Sequence, residues 1–165
     1  MKKVIKNYLA KLQENDKKGF SLVELIIVMA IMAILVGIVA SQVLPYMEKS
    51  RMSKDQQQLS SLCTDIVSAI SQADGTVSTF AATELKDCNA TTGGADWVTE
   101  LGLLRSSDGT TATPVGTIET NIAGKFKSKT AKAASAISVA YDNTTGQVTV
   151  YCGDGSVDKL KVVSE

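Results

Sequence analysis

Glu24 is the residue whose placement asks most of the chemistry. It is the lone ionisable group in residues 22–44, 23 positions in which only Glu24, Ser41 and Gln42, besides Gly37, interrupt apolar side chains. If that stretch crosses a bilayer, a carboxylate toward the middle costs about 2.5–3.5 kcal/mol, and less near the interface. A group kept at that cost needs a cationic partner. The cysteines are the second candidate for chemistry. Cys63, Cys88 and Cys152 are three in number, so they close at most one intramolecular bridge. Cys88 falls in a connecting stretch and reaches either of the others, so the pairs 63–88 and 88–152 are both open. A direct bridge from the helical Cys63 to the strand residue Cys152 is awkward across packed layers. The alternative is that all three thiolates converge on one zinc ion with an aspartate as fourth ligand, although no C-x-x-C pair supports it. Asp154 and Asp158 offer two carboxylates where calcium takes about 6–8 oxygens, so a turn is expected there. Histidine is absent from the chain, as are the GxxxxGK and GxGxxG phosphate loops. Nothing among the serines and aspartates would activate a nucleophile. The chain is expected to be a substrate of an enzyme rather than an enzyme, and no cofactor is expected.

The elements that must position these groups begin with charge. Residues 1–19 carry six lysines against Glu14 and Asp16, a net +4, while the remainder of the neutral chain carries −4. Residues 22–44, at about 1.5 Å per residue, reach roughly 34 Å as a helix, enough to cross a hydrocarbon core of about 30 Å. A removable secretory signal has a shorter apolar core and ends at a small-residue cleavage site. Here the sequence runs on into polar, helix-forming residues. Basic residues beside an apolar span stay in the cytoplasm, so the N-terminus faces in and the bulk of the chain out. The mildly acidic remainder does not suggest a nucleic-acid surface.

Gly19, Phe20 and Glu24, with basic residues before them and about twenty apolar residues after, form a pattern that resembles the type IV prepilin signature. The resemblance implies cleavage between Gly19 and Phe20 by a prepilin peptidase on the cytoplasmic side, followed by N-methylation of Phe20. It implies that Glu24 pairs with the amino group of a neighbouring subunit in a helical homo-oligomeric filament. Three parts follow: a leader over 1–19, a transmembrane and filament-core helix over 20–45, and a globular head over 46–165. The partners implied are the peptidase/methyltransferase, the assembly machinery, the membrane before assembly and further copies of the chain. The filament would lie outside the cell and serve adhesion, motility or DNA uptake. A pseudopilus of a secretion or competence system carries the same signature, and a membrane-anchored binding module that never polymerises is the reading from another class. Many pilins close their C-terminal region with a disulfide, and that resemblance favours Cys88–Cys152.

The rest of the chain reads as α+β. Pro45 removes a helical hydrogen bond, so a bend is expected there, and Gly37 and Ser41 weaken the same region. Related pilins extend the helix hereabouts when they pack, so the resemblance marks Gly37 to Pro45 as the place to unwind. Beyond Pro45, Leu59, Leu62, Cys63, Ile66, Val67 and Ile70 recur at helical spacing, with Lys54, Asp55, Gln57, Asp65 and Ser68 on the other face. One helix is expected over 21–73, about 53 residues and roughly 80 Å, ending at Asp74 and Gly75. Residues 75–135 are rich in Thr, Ser, Gly and Ala and read as surface connections. Short helices are expected over 80–85 and over 96–104, the second capped by Asp96 with Trp97, Leu101 and Leu104 on one side. Residues 125–132 gather four lysines around one aromatic, Phe126. A solvated face or a contact between subunits explains them better than a DNA- or anion-binding patch. Residues 137–141, 147–152 and 157–163 read as three strands joined by tight turns, an antiparallel meander whose Val148, Val150 and Cys152 cover the helix stripe.

Overall fold

The computed structural model describes residues 20–94, 96–134, 136–153, 155–157 and 160–165. The long helix forms as expected: α1 spans Leu22–Gln72 and runs through Pro45 without a break in its helical assignment. Two compact units meet at the Leu44–Pro45 boundary. In the first, residues 22–44 are exposed on every face of the helix, and a stretch of mean hydropathy 3.0 has none of its residues buried. Uniform apolarity leaves this helix without a core-facing stripe, and a surrounding apolar medium must take that role.

In the second unit the periodicity switches on. Leu59, Leu62, Cys63, Ile66 and Ala69 are buried, and Val67 and Ile70 pack at their margin. They face a four-stranded antiparallel sheet in the order β1-β2-β3-β4, with β1 at Phe80–Glu84, β2 at Ile137–Asp142, β3 at Gln147–Cys152 and β4 at Lys161–Val163. Alternation along β3 buries Val148, Val150 and Cys152, and Cys63 Sγ lies 3.7 Å from the Val148 carbonyl oxygen. The β2–β3 hairpin turns at Gly146, whose φ of 71° suits glycine. The architecture is the α+β, pilin-like one expected.

Three expectations are corrected. Residues 80–84 form the first strand, not a helix, and only Leu85–Asp87 is helical, as a single 3-10 turn. Ala, Thr and Glu leave that segment with weak preference for either state, and the open edge of β2 decides it: Phe80 pairs with Tyr141, Thr83 with Val139 and Glu84 with Ser138. The connecting region is also far less superficial than its composition suggests. Val77, Leu85, Trp97, Leu101, Ile118, Ile122 and Phe126 all belong to the core. Beside the expected α2 (Trp97–Leu104), which Asp96 caps by accepting from Thr99 N, it holds α3 (Val115–Ala123) and α4 (Lys129–Ala134). On α2, Trp97 and Leu101 are buried while Leu104 is exposed. Finally, Asp55 does not lie on the solvated face of α1: its residual exposure is 1%. Phe80 stacks on Trp97 with centroids 5.5 Å apart. Gly93 closes the turn beneath them, because a Cβ there would meet Val77 Cγ1 at 2.8 Å.

Candidate functional site

The site begins at the first described residue. Phe20 is 82% exposed, and α1 starts two positions later. Leu25 N donates to the Ser21 carbonyl at 3.1 Å, which makes Ser21 the N-cap and Glu24 the third helical residue. A Ser-x-x-Glu spacing at a helix start is also that of a capping box, a structural use of Glu24 that the sequence reading did not consider. The first turn of a helix carries unpaired N–H groups and the positive end of the dipole, so an anionic side chain is at home there electrostatically. Yet Glu24 is exposed among apolar neighbours on all sides. The arrangement presents a carboxylate a few residues from the chain position of Phe20, in a helical stretch where it is the single charge. Gly19 and the leader lie outside the described residues.

Gly37 is open as well. A Cβ built there meets nothing within 4 Å, so this unit gives no packing reason for a glycine. Ser41 Oγ donates to the Ile38 carbonyl at 2.8 Å, satisfying its hydroxyl within the helix.

In the second unit, two buried carboxylates fasten the connecting region. Asp55 accepts from Lys127 N and Ser128 N, both at 2.8 Å, and Glu48 accepts from Lys129 N at 2.6 Å. Glu119 accepts from Lys86 N at 2.7 Å and Ile137 N at 3.0 Å, joining the 3-10 turn to the start of β2. These N–H groups begin segments, where no intrahelical or ladder partner exists. Sequence reasoning missed all three roles. An acid four residues before the buried stripe, as Asp55 is, looks like any solvated acid until its partner segment is known.

Cys63, Cys88 and Cys152 are buried, free thiols. Each faces a different carbonyl oxygen: Val148 at 3.7 Å, Glu84 at 3.5 Å and Ala131 at 3.6 Å. Neither the 88–152 nor the 63–88 bridge is formed in this structure. Burial pushes the Cys63 thiol up. Burial, with the charges of Asp87 and Glu119, pushes Cys88 to about 11. Burial, with those of Asp55 and Glu119, does the same for Cys152, also to about 11. Among the described residues no three His, Cys, Asp or Glu side chains gather so as to hold a metal. Asp154 and Asp158 lie outside the described residues.

Residues 15–40 match the family model described as the prokaryotic N-terminal methylation motif. No curated protein and no solved structure matches the chain. The match covers Phe20, Glu24 and the start of the apolar helix, the same groups that the geometry sets apart. The motif matched over residues 15–40 is that of the class III signal peptide of type IV pilins and pseudopilins, and it supports a type IV pilin-like prepilin or pseudopilin.

Proposed function

We propose that this chain is the precursor of a filament subunit of a type IV pilus. A prepilin peptidase cuts between Gly19 and Phe20 and the new N-terminus is methylated. The processed subunit waits in the cytoplasmic membrane with residues 20–45 as its span and residues 46–165 as the outer head. The assembly machinery then draws it into a cell-surface filament for adhesion, motility or DNA uptake. One observation carries the reading: the methylation motif leads into a helical stretch, residues 22–44, that is apolar and uncovered on all faces, with Glu24 its single charge. In a lone anchor that charge would serve the helix start alone. In a filament, Glu24 pairs with the Phe20 amine of a neighbour, which neutralises both inside an apolar core.

Two measurements test this. Mass spectrometry of the protein from cells is expected to show a chain that starts at N-methylated Phe20, and Gly19→Arg is expected to abolish the cut. Electron microscopy of cells with and without this chain is expected to show surface filaments that depend on it. A processed chain that stays in the membrane without surface filaments overturns the pilus assignment and leaves the pseudopilus and the non-polymerising anchor.

A further inference from the structure

Positive charge is concentrated where the second unit begins. Lys49, Arg51 and Lys54 follow Leu44, the last residue of the apolar stretch, by five to ten positions on α1. The hydrogen bonds to Glu48 and Asp55 bring residues 127–129 to the same turns of the helix. That segment adds Lys125, Lys127, Lys129 and Lys132, all exposed. The two acids at this level are spent on backbone N–H groups. Asp55 is buried, and Glu48 takes Lys129 N on one oxygen and Arg51 on the other at 3.7 Å. Seven cations therefore gather in this part of the unit, while the rest of residues 45–165 carries four cations against twelve acids. A solvated face explains scattered lysines. It does not explain why a net-acidic head spends its two local carboxylates on backbone donors and turns every cation of a docked segment outward.

We propose that this collar binds the phosphate headgroups of an anionic phospholipid surface, the outer leaflet from which the apolar segment emerges. The inference rests on reading residues 22–44 as a membrane span. It also gives the collar a time to act. Before processing, the six lysines of residues 1–19 flank the apolar segment on its other side. Once the chain starts at Phe20, no lysine or arginine precedes Lys49. The collar is then the basic flank of the span, and it holds the head against the bilayer until assembly withdraws the subunit. Such attraction accumulates with each lysine near an anionic surface and fades within a Debye length, about 8 Å at physiological salt.

The test uses the full chain, reconstituted in vesicles of phosphatidylcholine alone or with one third phosphatidylglycerol. Lysine acylation is followed residue by residue by mass spectrometry. Labelling of Lys125, Lys127, Lys129 and Lys132 is expected to slow by about fivefold in the phosphatidylglycerol vesicles and to recover in about 1 M salt, where the Debye length falls to about 3 Å. Lys86, paired with Glu84 within the head, serves as the internal reference. Replacing the four segment lysines by glutamine, all on exposed side chains, is expected to remove the lipid dependence remaining at Lys49 and Lys54. Equal labelling in both vesicles overturns the collar while leaving the span intact, provided the chain resists alkaline extraction. A chain that is extracted overturns the span and the collar together. Protection that is equal in the two lipids and rises with protein density assigns the collar to a second copy and overturns the lipid assignment.

Discussion

Ile31 and Ile66 are the same residue on the same helix, and their surroundings are opposite. Ile31 is 51% exposed and Ile66 is fully buried against the sheet. The first half of α1 repeats apolar residues without a period, and the second restricts them to a stripe. A stripe is an instruction to fold against one's own chain, because it leaves one face for water. Apolarity all round is an instruction to enter a medium that the chain does not supply. The charge that stands against its surroundings in each half, Glu24 in the apolar stretch and the buried Asp55, then gains meaning from its setting. Asp55 is answered by backbone N–H groups within the chain, whereas Glu24 has only apolar neighbours on the helix.

Glu24 gives the sharpest way to break that contrast. Glu24→Leu makes the span more apolar, so membrane insertion is expected to stay the same or improve. Filament yield is expected to fall by tenfold or more, on the order of the cost of leaving the neighbour's amine buried without its partner. Quantifying sheared filaments and membrane-bound subunit from the same cells separates the two effects. Wild-type filament yield from the mutant defeats the pairing.

Truncation compares the halves directly. Ile66→Ala is expected to destabilise the head by about 4 kcal/mol, in the range for a buried isoleucine that leaves a cavity. Ile31→Ala is expected to leave the denaturant midpoint of the head unchanged, because residue 31 lies in the other unit. Detergent-solubilised full chain, followed through the fluorescence of the buried Trp97, reports both. A loss at Ile31 comparable to that at Ile66 contradicts the division.

Asp55→Ala comes next in size, at about 3 kcal/mol, since two donors at 2.8 Å lose a charged acceptor. It marks where the sequence stopped being readable. The stripe from Leu59 to Ile70 announced itself by period, the β2–β3 hairpin by alternation and turn residues, and Glu24 by being the one charge in its setting. Each of those signals is local. Asp55 and Glu119 act through backbone donors 72 and 18 residues away, and no local pattern encodes such a partner. α3 was hidden for a related reason. Gly116, Thr117, Thr120 and Asn121 are poor helix formers, and burial of Val115, Ile118 and Ile122 overrides them. β1 existed only once β2 offered its edge. Hydrogen exchange at Lys127 N and Ser128 N checks the Asp55 clamp, and protection retained in Asp55→Ala counts against it.

The thiols give a smaller, pH-dependent handle on the head. Cys88 and Cys152 rise from an ordinary 9.0 to about 11 on folding, through burial first and nearby carboxylates second. A raised value means that the folded state holds its proton longer. Their contribution to stability is therefore complete below pH 9 and is lost as pH climbs through 11. The Cys88 and Cys152 thiolates of the native protein are expected to appear about two pH units later than those of the denatured chain. Native thiols that ionise at 9 contradict this burial.

Gly37 carries the smallest expected effect and bears on the apolar half alone. With open space around it, Gly37→Ala introduces no clash in the free subunit and is expected to stabilise the helix by about 1 kcal/mol. Circular dichroism of the detergent-solubilised chain reads that gain. In lipid, an unbroken helix is the only way for this stretch to satisfy its backbone, whereas neighbouring subunits in a filament bring other partners. Pro45 already lacks one hydrogen bond, so the span between Gly37 and Pro45 is the least costly part of α1 to unwind on assembly. If assembly uses that weakness, Gly37→Ala lowers filament yield severalfold although it stabilises the subunit. That opposition is what distinguishes melting from mere packing, since a residue that only packs would gain or lose in both states together. A filament reconstruction with unbroken helix from Leu35 to Met47, or full yield from Gly37→Ala, eliminates the melting and leaves the pairing of Glu24 untouched.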